Sequence, residues 1–369
     1  MKIGIDLRIA DNNYGIGRYS LELAKSIGAF DRGNEYFIFA REPEKLKKIF
    51  ENFSNFKLVK ADFRHYSFEE QFKFPALLKK YNLDLMHFTN FNAPILYNRP
   101  FVVTIHDVIH HKLPGNKKAR FLHRIAYKFI IKSAAKKSRK IITVSNFSKK
   151  EIAETLKVPP QKIAVIYEAA AVVPVSDSDI AQQKQKFGIT KPYVVFVGAM
   201  ERKKNILALA RAFDILKEKF QANLQLVLAG KRDPHYPEIL EQAKAIKYSK
   251  DLIVTGVVSD KEKCALCKGA LAFVSASLFE GFGLPGVEAM SLGVPLVVTN
   301  SEVFNEIYDN GAIYFDGTNP EDIAQQLNLI ITDEKYRKMV ANAAFARSQY
   351  FSWDTAAKET IKIYSQCAS

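Results

Sequence analysis

Thirty residues toward the C-terminal end, Leu271 to Asn300, restrict the fold of this chain more than any other stretch. They read LAFVSASLFEGFGLPGVEAMSLGVPLVVTN. Ala272 to Ser275 is apolar and rich in β-branched and aromatic residues, which predicts a buried strand. A loop holding Glu280, Gly281 and Gly283 follows, closed by Leu284-Pro285-Gly286. Pro285 suits the first turn of a helix and Gly293 its C-terminal end. Val294 to Thr299 then predicts a second buried strand. The whole is a βαβ unit, and such a unit belongs to a parallel sheet covered by helices.

The loop delivers free backbone N–H groups at a helix N-terminus, where a phosphate or another anion is favoured. Glu280 on the loop and Glu288 within the helix flank that place. Carboxylates accept sugar hydroxyls, so the combination describes a pocket for a nucleotide-linked sugar.

The same alternation runs through the rest of the chain. KIGIDLRI, EYFIFA, LDLMHFT, PFVVTIHD and RKIITVS read as strands with helical segments between them. A stretch with a proline and two serines, Ala169 to Ser178, interrupts the pattern, and PYVVFVGA, ANLQLVLAG, DLIVTGV, GALAFVSA, VPLVVT and AIYFD restart it. Two successive Rossmann-like domains fit, and 369 residues suffice for both. The first is expected over 1–172 and the second over 173–352, with residues 353–369 as a closing helix that returns to the first. No apolar run reaches the ~18–20 residues that a membrane span needs, and Asp6 argues against a signal peptide. Three cysteines argue against a disulfide framework. Cys264 and Cys267, in KEKCALCKGA, are expected to pack as small apolar residues on a helix.

Residues 1–175 carry 31 Lys and Arg against 16 Asp and Glu, and the remainder carries 23 of each, so the net charge of +15 lies wholly in the first half. Such a field favours nucleic acid, an anionic membrane or a phosphorylated substrate. Nucleic acid is disfavoured, because the basic residues are not interleaved with a stacking platform or a reader motif.

Glu280 and Glu288 in EGFGLPGVEAMSLGVPLVV resemble the signature of retaining GT-B glycosyltransferases of the GT4 type, in particular the mannosyltransferase-like subgroup that makes O-antigen and other polysaccharides. The resemblance covers nearly the whole chain. It implies an α/β chain of two Rossmann-like domains whose parallel sheets face across a cleft. The implied activity is transfer of a hexose, mannose favoured, from a nucleotide-sugar to a saccharide or lipid-linked saccharide acceptor, with no metal and no cofactor beyond the donor. GDP-mannose is the favoured donor, and UDP- and dTDP-sugars stay open. An NAD-dependent oxidoreductase would share the two domains, but its fingerprint wants a third glycine where Ser20 stands.

The resemblance also implies residue roles. FVGAMERKKNI is similar to the family's cationic turn, so Lys204, with Arg202 and Lys203 beside it, would neutralise the donor diphosphate. Ala199 stands where the family often has a second arginine. Glu288 would accept ribose hydroxyls, Glu280 would hold the transferred sugar, and backbone groups of Phe282, Gly283 and Leu284 would line the site. Gly256 and Val257 match the border of the nucleobase, and Lys231 is a further candidate there. Gly15 and Gly17 in YGIGRYS match a glycine loop near the donor phosphates. His106, in TIHD, matches a histidine beside the transferred sugar, and Ser145 in TVSNFS matches a helix-starting turn. The catalytic set is thus His106, Glu280 and Lys204. His110 and His111 receive no role.

Lys117 to Lys137 reads as one amphipathic helix. Arg120, Arg124, Lys128, Lys132 and Lys136 recur every fourth residue and stay on one broad face, while Leu122, Ile125 and Phe129 are expected to pack on the domain. The basic face suits an anionic membrane surface, so a protein expected in the cytoplasm is expected to bind peripherally at the inner face of the membrane.

Overall fold

A computed structural model describes residues 1–10, 15–65, 67–109, 120–234 and 236–368, with side chains 120–124 left undescribed. The chain divides into two compact units, Met1–Glu168 with Ser352–Ser369, and Ala169–Phe351.

The first unit is built on seven strands: β1 Lys2–Asp6, β2 Glu35–Ala40, β3 Phe56–Lys60, β4 Leu85–Phe88, β5 Phe101–Thr104, β6 Lys140–Thr143 and β7 Ile163–Val165. Their order is β3-β2-β1-β4-β5-β6-β7, and every pairing is parallel. The second unit has six: β8 Tyr193–Val197, β9 Gln225–Ala229, β10 Leu252–Gly256, β11 Ala272–Ser275, β12 Leu296–Thr299 and β13 Ala312–Phe315. Their order is β10-β9-β8-β11-β12-β13, again parallel throughout. Central strands such as FVVT, AFVS and LVVT are buried along their whole length. That follows from helices on both faces, and it explains why these strands read as apolar runs without alternation. In each sheet the order reverses once, between β1 and β4 and between β8 and β11. Outside the carboxyl ends of such a pair the successive loops diverge, and a ligand finds room.

Short polar side chains start the helices. Ser145, Ser176, Ser259, Ser301 and Ser352 each accept a hydrogen bond from a first-turn N–H, and Ser176 and Ser259 complete capping boxes with Asp179 and Glu262. The closing helix Trp353–Cys367 packs on the helix Ile16–Phe30 of the first unit. Its Tyr364 hydroxyl meets His87 Nδ1 at 2.6 Å, while His87 Nε2 meets Thr104 Oγ1 at 2.8 Å. Burial pushes the His87 imidazole down to about 3, so this ring stays neutral. Beneath the end of β1, Arg8 is 1% exposed and forks onto Asp6 at 2.9 and 2.7 Å, with Glu70 at 3.1 Å and the Phe74 ring at 3.9 Å. Cys264 and Cys267 are buried free thiols on the helix Asp260–Lys268.

The basic helix spans Arg120–Lys137, so its expected start at Lys117 lies outside the described residues, as do His110 and His111. One expectation fails here. Tyr127, Ile130, Ile131, Ala134 and Ala135 form the packed stripe, and Phe129 is 67% exposed, with Ile125 at 37%. At 100° per residue Phe129 and Ile125 stand opposite that stripe and share the outer face with Lys132 and Lys136. The side chain of Leu122 lies outside the described residues.

Three neighbouring strands of the second sheet end in glycines of positive φ: Gly198 at 158°, Gly230 at 146° and Gly256 at 73°. A Cβ on Gly230 would lie 2.0 Å from the Gly198 carbonyl oxygen, against backbone that has nowhere to move. Gly230→Ala should therefore cost roughly 2–3 kcal/mol in the second unit, read as a lowered midpoint of its thermal unfolding. An unchanged midpoint would show that the two strand ends are not packed this closely.

Candidate functional site

The strand-order reversal of the second sheet brings two loops together. The loop after β8 carries Arg202, Lys203 and Lys204 in one tight turn, and Asn205 at φ 51° opens the next helix, Ile206–Lys219. The loop after β11 carries Ser277, Leu278 and Glu280. The Leu278 N–H donates to the Lys203 carbonyl at 2.8 Å and ties the loops. The Lys204 ammonium donates to Glu280 Oε1, with side chains only 13% and 14% exposed. Burial pushes the Glu280 carboxyl up, but Lys204, Lys203 and the Ser277 hydroxyl outweigh it and hold the group below the ordinary carboxylate value.

Gly283, at φ 93°, starts the helix Leu284–Ser291, with Pro285 in its first turn. Packing fixes this corner as firmly as the dihedral does. A Cβ on Gly283 or Gly286 would come within 2.2 or 2.3 Å of the Tyr308 hydroxyl, which itself donates to the Gly283 carbonyl at 2.7 Å. Phe304 stacks on Tyr308 at 4.9 Å, and Phe282 is buried edge-on to Phe351 at 5.5 Å. Aromatic rings thus fix the position of the helix N-terminus, which follows the Glu280 loop directly in the chain. Glu288, one turn further along that helix, is 4% exposed and bonds to Lys263 Nζ at 2.6 Å.

The remaining residues of the second unit are more scattered. Arg202 is exposed and lies over the Tyr236 ring at 5.3 Å, and Lys203 pairs with Glu201 at 3.4 Å, so of these three cations it is Lys204 that reaches Glu280. Gly256 ends β10, the edge strand, and Val257 just after it is 58% exposed. Lys231 is exposed after β9. A cavity of about 250 Å³ lined by Met200, Arg232, Tyr236 and Lys244 lies beside the same loop and includes none of the expected residues.

In the first unit the reversal again collects polar groups. Gly15, exposed at φ 52°, precedes the helix Ile16–Phe30, and Gly17 is buried in its first turn. His106 is 8% exposed, edge-on to Tyr19 at 4.6 Å. Its Nδ1 lies 3.2 Å from Glu168 Oε1 and its Nε2 3.3 Å from the Thr89 carbonyl. Ser145 caps the helix Asn146–Leu156, accepting from the Ser148 N–H at 3.0 Å. Among the described residues no group of three or more His, Cys, Asp or Glu side chains could hold a metal ion.

The family described as "Glycosyl transferases group 1" matches residues 177–347, and "Glycosyltransferase Family 4" matches residues 14–171. This chain belongs to the GT4-type glycosyltransferases. It is 27% identical to the O-antigen chain mannosyltransferase B of Escherichia coli, over 95% of both chains. It is 32% identical to the O-antigen chain mannosyltransferase RfbU of Salmonella typhimurium, over 67% of this chain and 64% of that one. The crystal structure of HepE from Anabaena in complex with UDP and glucose superimposes with a TM-score of 0.77 at 18% identity, covering 99% of this chain and all of the other. The fold is therefore GT-B.

For a glycosyltransferase read from sequence, the structure joins Lys204 to Glu280 and leaves Arg202 and Val257 apart from them. Sequence reasoning missed Lys263, Glu168, Tyr308 and His87. His87 had a signal, a histidine inside the apolar strand LDLMHF, where only a hydrogen-bonded ring is tolerated. Lys263 and Glu168 had none, since their partners are remote in sequence.

The Lys204–Glu280 pair has a pH signature. A carboxyl held low in the folded state contributes stability that is complete above its unfolded value, near 4.5, and is lost as pH falls through the folded value. Unfolding temperatures of the second unit measured from pH 6 down to pH 3 should thus fall less steeply in Glu280→Gln than in the parent. Parallel curves would show that the pair adds nothing to acid stability.

Proposed function

We propose that this glycosyltransferase moves a hexose, mannose favoured, from a nucleotide-sugar to a saccharide or lipid-linked saccharide, with retention of configuration and without a metal. The observation that carries the reading is the Lys204–Glu280 pair beside the helix beginning at Leu284. A diphosphate entering there displaces the carboxylate from the ammonium. Lys204 and the helix N-terminus then take up the charge that grows on the leaving group. Glu280, released from Lys204, accepts hydroxyls of the transferred sugar. It is a positioning and polarising group rather than a nucleophile, and no opposing carboxylate pair of the glycosidase kind is invoked. The leaving diphosphate takes the acceptor proton on the same face. Glu288 accepts ribose hydroxyls, with Gly256 and Val257 bordering the base, and His106 is assigned to the transferred sugar. The two O-antigen chain mannosyltransferases that the chain resembles support mannose, and GDP-mannose is the proposed donor.

The outer face of the helix Arg120–Lys137 supports peripheral membrane binding. Lys128, Lys132 and Lys136 are exposed there together with Phe129 and Ile125. Cations draw the helix to acidic headgroups at about 1 kcal/mol each, and an exposed ring enters the interface. None of the helices in the described residues is long and apolar enough to cross a membrane, so attachment would be at the surface.

Two tests follow from these assignments. Lys204→Ala and Glu288→Ala should each weaken nucleoside-diphosphate binding about ten- to hundred-fold by calorimetry, whereas His106→Ala should lower turnover and leave that affinity in place. Unchanged affinity in both of the first variants would remove the donor from this loop. The protein should also sediment with vesicles containing acidic lipid and release as salt rises. Lys128→Glu with Lys132→Glu should abolish this, and Phe129→Ala should weaken it; binding to neutral vesicles alone would contradict the electrostatic reading.

A further inference from the structure

Lys263 stands in the helix Asp260–Lys268, on a face set by the Ser259–Glu262 capping box. The same helix is tied on one side to Asp177–Phe187 by the Lys186–Glu262 pair. On the other side Lys263 reaches Glu288 at 2.6 Å, and a second carboxylate, Asp260, lies at 3.4 Å. Lys263 is 14% exposed and Glu288 only 5%, whereas Asp260 keeps 33% of its side chain in solvent. Around Glu288 the helix is apolar, with Val287, Ala289 and Met290 at 0% exposure. A carboxylate placed among such neighbours needs a counter-charge, and a lysine is seldom withdrawn from water to supply one.

A packed hydrophobic pair would join two helices at lower cost, so stability alone does not account for the arrangement. A site that must offer an oriented, charged acceptor does account for it. Lysine is suited to this, because its ammonium is a compact point charge that occupies one oxygen and leaves the carboxylate's other acceptor directions in place. We infer that Lys263 is a positioning residue of the donor site, holding Glu288 charged and oriented so that the carboxylate accepts the hydroxyls of a ribose. The inference rests on the proposed donor reading of Glu288 and deepens it. It makes the protein discriminate ribonucleotides from deoxyribonucleotides through a side chain that need not touch the nucleotide.

The test compares affinities for GDP and 2′-deoxy-GDP, and for UDP and 2′-deoxy-UDP, by calorimetry on the full chain. A hydroxyl bonded to a charged acceptor should favour the ribose form about ten-fold or more in the parent. Lys263→Met should reduce that ratio toward one, Lys263→Arg, whose fork takes both carboxylate oxygens, should recover only part of it, and Glu288→Gln should reduce it as Lys263→Met does. The double variant Lys263→Met with Glu288→Gln should fall no further, because both changes act on one contact. A merely structural lysine would lower the unfolding temperature and leave the ratio alone. Should Lys263→Met fold poorly, Lys263→Gln serves in its place. A parental ratio that survives loss of the lysine, while Glu288→Gln abolishes it, overturns the role of Lys263 and leaves the donor reading standing. Equal affinity for ribose and deoxyribose in the parent overturns the donor reading of Glu288, and this inference with it.

Discussion

Parallel pairing is the constraint from which the rest of this structure follows. A strand that joins a parallel sheet must send its chain back across the sheet, usually along a helix, so every connection leaves from the carboxyl edge and every loop there is free of the pairing itself. Where the order of strands reverses, two such loops turn away from each other, and their side chains alone decide what fills the gap. In the second sheet that decision falls to a lysine and a glutamate 76 residues apart in sequence. In the first it falls to His106, Thr89 and the glycine turn before Ile16. Neither group needs a special fold of its own, because each is placed by the end of an apolar strand.

Much of this was legible in the residues. Apolar runs without alternation announce strands buried on both faces, and the Leu271–Asn300 segment shows strand, turn, helix and strand in order. Pro285, Gly283 and Gly293 sit where their backbone preferences place them. Single-sequence reading stops at contacts between elements that periodicity does not connect. Glu288 is visible as a carboxylate in an apolar helix, but its lysine comes from a helix two elements earlier. Glu168 ends the first unit, 62 residues beyond the histidine it faces. The outer face of the helix Arg120–Lys137 was misjudged for a different reason. Aromatic side chains were assigned to the core on chemistry, whereas the angle around the helix axis puts Phe129 among the lysines.

The two units bury charge in different ways. In the first, Arg8, Asp6 and Glu70 form a closed cluster under the end of β1, with Phe74 against the guanidinium. Its bidentate geometry satisfies most of what desolvation takes away, and it reads as an anchor for the loop that follows. In the second, the buried pairs are simple lysine–carboxylate contacts, Lys204 with Glu280 and Lys263 with Glu288. A lysine ammonium can exchange one oxygen partner for another with little change in geometry, which a forked guanidinium cannot. The first arrangement suits a scaffold, and the second suits a place where a charged ligand comes and goes.

The three glycines that close β8, β9 and β10 have a consequence for how such a protein diversifies. Gly198 and Gly230 press backbone on backbone, so this stretch of rim offers a ligand only amide and carbonyl groups. A surface made of main chain cannot be altered by point mutation without breaking it. Variation is therefore channelled into the positions alongside, such as Ala199, Lys231 and Val257, whose side chains are free of that packing. A lineage built on this frame can change those neighbours freely and inherit the main-chain rim unchanged.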